Sequence, residues 1–424
     1  MRLLIAVFSG FAALASQVAL AQTPNITWQR VVAVEGDRGE VDAMVITANG
    51  NIVVGGSLTQ PLDFRHGEAN DAWLAMYAAD GTQLWSRQFG GAYRDDILDV
   101  AIDRDGAIIV TGSRDTFHQQ GKDSVNSFVA KFTPTGELIW DTIIADASRR
   151  IAVDQILAAP DGGALISGQE TRVGDGGGSP MVVKLSIDGN VSWTAIPASP
   201  PVSQLAGFTT HTMDGRTFAS DRARMAKVNA DTIEVRVQRS ALTLDLDAGC
   251  VVLRLANGLP VDAPCSTASL NGFTEGNAYS GWRTANFAVA DPVIRRADAA
   301  GGVLWERILA SPDGDGLFDF AMTPDGGVVG AGFRLNGNEV RRHNWDGLLV
   351  RLDADGNELW RRTFGGNKRE ELKAVAVLPD GSIVVAGFTG SQTGVPDWAP
   401  WIMRLNSQGE LEGEALKGLQ DRQF

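Results

Sequence analysis

The chain offers few residue types for chemistry. Three of its four histidines, His66, His118 and His343, stand in the polar stretches LTQPLDFRHGEAN (58–70), DTFHQQGKDSV (115–125) and LNGNEVRRHNW (335–345). A shared metal would need a second ligand at a recognised spacing from one of them. None has it, so these read as exposed loop histidines and no metal is expected. His211 reads as packed or exposed rather than catalytic. SPDGDGLFD (311–319) gathers Asp313, Asp315 and Asp319, but the fifth position of such a loop is Leu317 and the twelfth is Pro324, so the calcium-loop pattern fails. Asp42, Asp99, Asp154 and Asp319 recur where a carboxylate can accept N–H bonds, and read as structural. There is no G-x-S-x-G elbow, no H-E-x-x-H and no Walker loop, and GDGGGS (174–179) lacks the lysine of a phosphate cradle. No catalytic residue and no cofactor is expected.

The elements that would position such residues begin with MRLLIAVFSGFAALASQVALAQ, which has a cation at Arg2, an apolar run and a small-x-small site at Ala19–Ala21. This predicts a secretory signal peptide over residues 1–21, cut before Gln22, and a periplasmic or extracellular product. No later stretch reaches the ~18 apolar residues of a membrane span. Without residues 1–21 the chain keeps 36 Lys and Arg against 51 Asp and Glu, a net charge of about −15. Nucleic acid and anionic lipid are therefore poor partners.

Residues 77–91 read YAADGTQLWSRQFGG and residues 352–366 read LDADGNELWRRTFGG. A polar-Gly turn precedes such phrases at Gly81, Gly136, Gly189, Gly249, Gly301, Gly356 and Gly409. A second turn recurs at Gly50, Gly106, Gly162, Gly215, Gly272, Gly326 and Gly381. Between the turns lie short β-rich runs such as NIVVGGSL and SIVVAGFT. Units of roughly 50–57 residues with three or four strands predict one propeller blade each. The expectation is an all-β, single seven-bladed β-propeller of four-stranded blades over residues 22–412, followed by a tail at 413–424. Trp28, Trp85, Trp140, Trp193, Trp305 and Trp360 mark the outermost strands, with Val252 near that place in the remaining unit. These indoles are expected to be core, because blade faces pack on one another and each buried aromatic removes ~150–250 Å² from water. GELEGEAL at the end is too acidic to be such a strand. The N-terminal ITWQRV is expected to complete the last blade and close the ring, removing exposed edges.

With FGG at 89–91 and 364–366, PDG at 160–162, 324–326 and 379–381, VAG at 385–387 and RLDADGNELW at 351–360, the chain resembles the bacterial secreted β-propeller repeat families. The resemblance covers residues 28 to about 193 and 303–411. It implies the fold and no single activity. LDADGNELW also resembles the tryptophan-docking repeat of quinoprotein dehydrogenases, which implies a quinone. The adjacent Cys-Cys pair of that family is absent, and the count here is seven rather than eight.

Residues 195–300 keep the turn spacing but lose most of the phrase, and hold CVVLRLANGLPVDAPC from Cys250 to Cys265. With Asn257 and Gly258 as a two-residue turn, opposed residue numbers sum to 515, as 250 and 265 do. That register places the two cysteines opposite each other, with Pro260 and Pro264 in non-hydrogen-bonded pairs, and predicts a hairpin disulfide. A competing register puts Cys250 on an outer strand and Cys265 on the next inner strand, ~14 Å away at ~4.8 Å per strand.

Function is expected on the long-loop face, opposite the tight turns. Arg65, His66, His118, Arg341, His343 and Trp398 are the candidate binding residues. The leading expectation is a non-catalytic exported propeller that binds a protein or glycan partner there. The alternative is a propeller enzyme, either a quinone-dependent oxidoreductase or a carbohydrate-active hydrolase or lyase, which would need acids or histidines from several blades to converge at one channel mouth.

Overall fold

The computed structural model describes residues 27–32, 38–59, 70–91, 94–115, 125–145, 149–159, 161–172, 179–195, 210–213, 216–219, 223–227, 232–237, 240–245, 250–255, 278–286, 289–297, 303–309, 315–335, 345–391 and 398–412. Every described element is a strand. After β1 (Trp28–Val31), the strands β2 (Gly39–Ile46), β3 (Ile52–Thr59), β4 (Asn70–Tyr77) and β5 (Gln83–Phe89) pair in chain order as sheet I. The same antiparallel meander recurs in β6 (Asp95–Ile102), β7 (Ile108–Asp115), β8 (Val125–Phe132) and β9 (Leu138–Ile144), sheet II. It recurs again in β10 (Arg149–Ala158), β11 (Ala164–Arg172), β12 (Ser179–Leu185) and β13 (Val191–Ala195), sheet III.

The pattern then changes. A two-stranded hairpin, β14 (Thr210–Met213) and β15 (Arg216–Ala219), stands apart from the four-stranded sheet IV of β16 (Ala223–Lys227), β17 (Thr232–Val237), β18 (Ser240–Asp245) and β19 (Cys250–Leu255). The strands on either side of the expected Gly215 turn thus pair with each other as a two-stranded sheet, where the repeat spacing predicts a four-stranded unit; Gly215 itself lies outside the described residues. Sheet V has three strands, β20 (Ala278–Asn286), β21 (Val289–Ala297) and β22 (Val303–Ile308). The regular meander returns as sheet VI, made of β23 (Asp315–Met322), β24 (Val328–Leu335), β25 (Trp345–Leu352) and β26 (Glu358–Phe364). Last come β27 (Glu370–Val377), β28 (Ile383–Thr389) and β29 (Ala399–Leu405), and the fourth strand of this sheet VII is β1, with Trp28 opposite Arg404 and Val31 opposite Trp401.

Successive sheets pack face to face. β2 lies against β6 on one side and against β27 and β28 on the other; β6 packs on β10, β10 on β16, β21 on β23 and β23 on β27. Comparable packing between sheets IV and V is not found among the described residues. The middle strands are buried on both faces, which is why NDAWLAMY and WDGLLVRL read as nearly continuous apolar runs. Leu74 of sheet I, Ile97 and Phe128 of sheet II sit in one core layer between the sheets, each fully buried. Each such side chain contributes ~1.5–3 kcal/mol. The arrangement is an all-β, propeller-type repeat fold. No helix among the described residues is long and apolar enough to cross a membrane.

The repeated phrase is explained by a clasp between neighbouring sheets. Trp28 Nε1 donates to the Ala79 carbonyl at 2.9 Å, and the same bond runs from Trp85 to Pro134, Trp140 to Ile187 and Trp305 to Ala354. The indole lies against the glycine of that turn, Trp28 on Gly81 and Trp360 on Gly409. Two residues on, Arg30, Arg87 and Arg307 donate through Nε to the carbonyls of Gly81, Gly136 and Gly356. The expectation that these indoles are plain core is refined: Trp28 is buried, whereas Trp85, Trp140, Trp305 and Trp360 are half-buried caps over the next sheet's turn. The backbone of Trp193 pairs with Lys184, and its side chain lies outside the described residues.

Candidate functional site

Every regular innermost strand carries a register shift near its start: between Val41 and Ala43, Ile97 and Asp99, Val153 and Gln155, Leu317 and Asp319, and Leu372 and Ala374. The extra residues are Asp42, Leu98, Asp154, Phe318 and Lys373. Each bulge faces a glycine on the second strand; a Cβ on Gly387 would run into the Glu371 carbonyl oxygen, so the glycine of the VAG element is a steric requirement of the bulge. Bulges re-aim side chains, and here three of them converge. Lys373 of sheet VII donates to Asp42 of sheet I at 2.9 Å and to Glu40 at 2.8 Å, and its ammonium lies 5.9 Å from the Phe318 ring of sheet VI. These bulges lie at the ends of the inner strands nearest the long loops.

Electrostatically this is a tight cluster. The side chains of Lys373, Glu40 and Asp42 keep only 21%, 20% and 14% of their exposure. Burial and the neighbouring Glu40 push the Asp42 carboxyl up to about 7, against the pull of Lys373. Burial works against the charge on Lys373, but Asp42 and Glu40 outweigh it and hold the ammonium above the ordinary lysine range. Glu371 is raised by burial and restrained by Arg369, whose Nε donates to it at 2.8 Å.

Beside the cluster lies an aromatic layer. Phe318 packs on Phe333, Phe333 stacks on Trp345 at 4.7 Å, and Phe388 stacks on Trp398 at 5.0 Å. The Arg369 guanidinium joins the two stacks, 3.9 Å from the Trp345 ring and 5.3 Å from that of Trp398. Trp398 also ties the junction through its carbonyl, which accepts from the Gly39 N–H at 2.8 Å. Of the six sequence-derived binding candidates, Trp398 is thus placed in this layer, while Arg65, His66, His118, Arg341 and His343 lie outside the described residues. Among the described residues no three His, Cys, Asp or Glu side chains group as a metal site.

The recurrent aspartates divide by environment. Asp99 accepts from the Ile156 N–H at 2.8 Å and Asp319 from that of Val375 at 2.9 Å. These bonds run to the next sheet's innermost strand rather than to a loop. Asp42 instead meets Lys373. The side chain of Asp154 lies outside the described residues. Cys250 opens β19, the fourth strand of sheet IV, and its backbone pairs with Asp245 of β18; Cys265 and the second half of the expected hairpin lie outside the described residues. Sequence reasoning missed Glu40, Arg369, Glu371 and Lys373. The available signal was the alternation of charge in GEVD and REELK at equivalent places in two units.

No family model matches the chain. Its sequence is similar to the regulatory protein FlaEY of Caulobacter vibrioides, 31% identical over 144 residues. That match covers 30% of this chain and 15% of FlaEY, so the chain spans a small part of that relative's length. Among solved structures it is similar to a fungal alcohol oxidase of the AA5 family in complex with copper, at a TM-score of 0.50 and 14% identity, covering 90% of this chain and 77% of that one. A virginiamycin B lyase from Staphylococcus aureus gives a TM-score of 0.47 at 9% identity, covering 89% of this chain and 99% of that one. The oxidase is a propeller-type protein, and an identity this low speaks to fold alone.

Proposed function

We propose that the chain is an exported, non-catalytic binding or scaffold protein of the secreted β-propeller repeat type, with seven blades closed by its N-terminal strand. It recognises a protein or glycan partner through the long-loop face. The observation that carries this reading is the layer built from sheets VI and VII at that face, Phe318, Phe333, Trp345 and Trp398 around Arg369, next to the charged cluster of Lys373 with Glu40 and Asp42 of sheet I. Half-buried aromatics with a polar tip or a stacked guanidinium are the usual anchors of recognition surfaces. The charges are already paired with one another, as in a preorganised surface rather than a free acid and base. The pairing of β1 with β29 supports ring closure. The expected signal sequence over residues 1–21 and the expected Cys250–Cys265 disulfide would suit a periplasmic or extracellular setting.

The test is binding of the mature protein to arrays of purified envelope glycans and purified envelope proteins. Lys373→Glu and Trp398→Ala, checked for folding, should weaken a wild-type signal at least about tenfold. Wild-type binding by both variants overturns the reading.

A second reading has its own support. Asp42, with a carboxyl near neutrality beside a lysine and a second acid, has the character of a general acid or base, which suits a carbohydrate-active hydrolase or lyase. Release of reducing ends or unsaturated sugars, abolished by Asp42→Asn, is what this reading requires. A quinone-dependent oxidase would instead carry a small adduct, seen in native mass spectra and lost on denaturation.

A further inference from the structure

The FGG element occurs at 89–91 and 364–366, and in both places two buried carboxylates from adjoining sheets close on its middle glycine. A Cβ on Gly90 would lie 2.5 Å from Asp95 Oδ2 and 2.8 Å from Asp71 Oδ1. A Cβ on Gly365 would collide with Asp346 Oδ1 and lie 2.8 Å from Glu370 Oε2. Asp71 and Asp346 are each 6% exposed, and Asp95 and Glu370 are fully buried. Asp71 belongs to β4 of sheet I and Asp95 to β6 of sheet II; Asp346 belongs to β25 of sheet VI and Glu370 to β27 of sheet VII. The missing side chain thus brings an acid of one sheet up to an acid of the next, at two separate junctions.

The surroundings of each pair are mixed. Around Asp95, the Gly91 N–H donates to Oδ2 at 2.6 Å, and Arg114 Nε stands 3.5 Å from Oδ1 while its Nη1 is held by Asp141 at 3.0 Å. Asp71 and Asp96 face Asp95 with like charge. Around Glu370, the N–H groups of Gly366 and Gly390 donate at 3.0 Å and Thr389 Oγ1 at 3.2 Å, with Ser391 adding a side-chain bond and Asp346 a like charge. The flanking Arg369 is engaged with Glu371.

We propose that each FGG junction is a proton-operated latch: one proton shared by the two carboxylates fastens neighbouring sheets, and its loss sets like charges against each other and loosens the loop ends. Two acids in one buried site cannot both ionise cheaply. Burial, with Asp71 and Asp96 adding to it, pushes Asp95 up to about 6 against the Gly91 N–H and Arg114. Burial also raises Glu370 against its hydrogen bonds, with Asp346 adding to the shift. Both acids have folded values above their ordinary ones. The stability they contribute is therefore complete below about pH 4 and, at the Asp95 junction, lost as pH rises through about 6. The latches tie sheet I to sheet II and sheet VI to sheet VII. Sheets I and VII carry Glu40, Asp42, Arg369 and Lys373, so the latch grips the scaffold on both sides of the candidate site.

Hydrogen exchange of the full mature chain, followed by mass spectrometry between about pH 5 and 8, tests this, each rate being divided by that of an unfolded peptide of the same sequence at the same pH. Corrected protection in peptides spanning 89–96 and 364–371 should fall at least about tenfold as pH rises. Asp95→Asn and Glu370→Gln keep a hydrogen bond without the charge. Each should flatten the profile at its own junction and leave the other unchanged, so one suffices if the other does not fold. Flat wild-type profiles at both junctions, or amide variants that retain the wild-type pH dependence, overturn the latch.

Discussion

Lys373 of the last innermost strand donates to Asp42 of the first at 2.9 Å, so the seam between the two ends of the strand order is an ion pair whose side chains are 21% and 14% exposed. Asp42 sits at about 7 instead of 3.8. A raised folded value means that its stabilising contribution is complete below about pH 4 and is lost as pH rises through about 7. Asp42→Asn should therefore flatten part of the dependence of Tm on pH over that window, measured by differential scanning calorimetry. Lys373→Met leaves Glu40 and Asp42 without their cation and should cost roughly 2–4 kcal/mol at neutral pH.

The indole clasp makes a separable prediction. Trp85→Phe keeps most of the ring against Gly136 but removes the bond from Nε1 to the Pro134 carbonyl at 3.0 Å, a loss of about 1 kcal/mol. Arg87→Ala removes the 2.9 Å bond to Gly136 and the guanidinium lying 5.8 Å from the Trp85 ring, for about another 1 kcal/mol. Because the two groups touch, the double variant in urea should lose less than the two single losses together.

Asp319→Ala strands the Val375 N–H that its carboxylate accepts, and Asp99→Ala does the same to Ile156. Each should cost about 1–3 kcal/mol in chemical denaturation, whereas the asparagine variants, which keep an acceptor, should lose less than half as much.

Thr27 and Glu412 exchange hydrogen bonds, the Glu412 N–H donating to Thr27 Oγ1 at 2.8 Å. The chain before β1 and after β29 therefore meets at one point. A permutant in which residues 28–32 follow Glu412 directly should fold with a Tm within a few degrees of the parent, because it restores the continuous meander of sheets I and II. A molten product would show that β1 needs its own entry into the fold.

The repeating meander was legible because its signals are local. Gly81, Gly136 and Gly356 take φ near +80° in five-residue turns, and the PDG aspartates Asp161, Asp325 and Asp380 pair with Lys184, Arg351 and Arg404 at a near-constant spacing. Residues 195–300 were less legible, because the sequence between β17 and β18, Gln238 and Arg239, carries no turn signal, and the strands of sheet IV are only five or six residues long. The candidate site was mostly hidden. Lys373 and Asp42 are 331 positions apart and meet only because two bulges in different sheets face each other. The histidines drew notice as residue types, whereas the cluster is built from ordinary charges made special by burial.

The clasp also bears on the order in which the fold can assemble. Trp28 and Arg30 grip the turn at Ala79 and Gly81, about fifty residues downstream, yet their own strand pairs with Trp401–Arg404 at the far end of the chain. The first strand can thus be moored by its indole to the earliest sheet while its pairing edge stands open. Its open edge is then the place where the last strand of the chain can dock to complete the sheet.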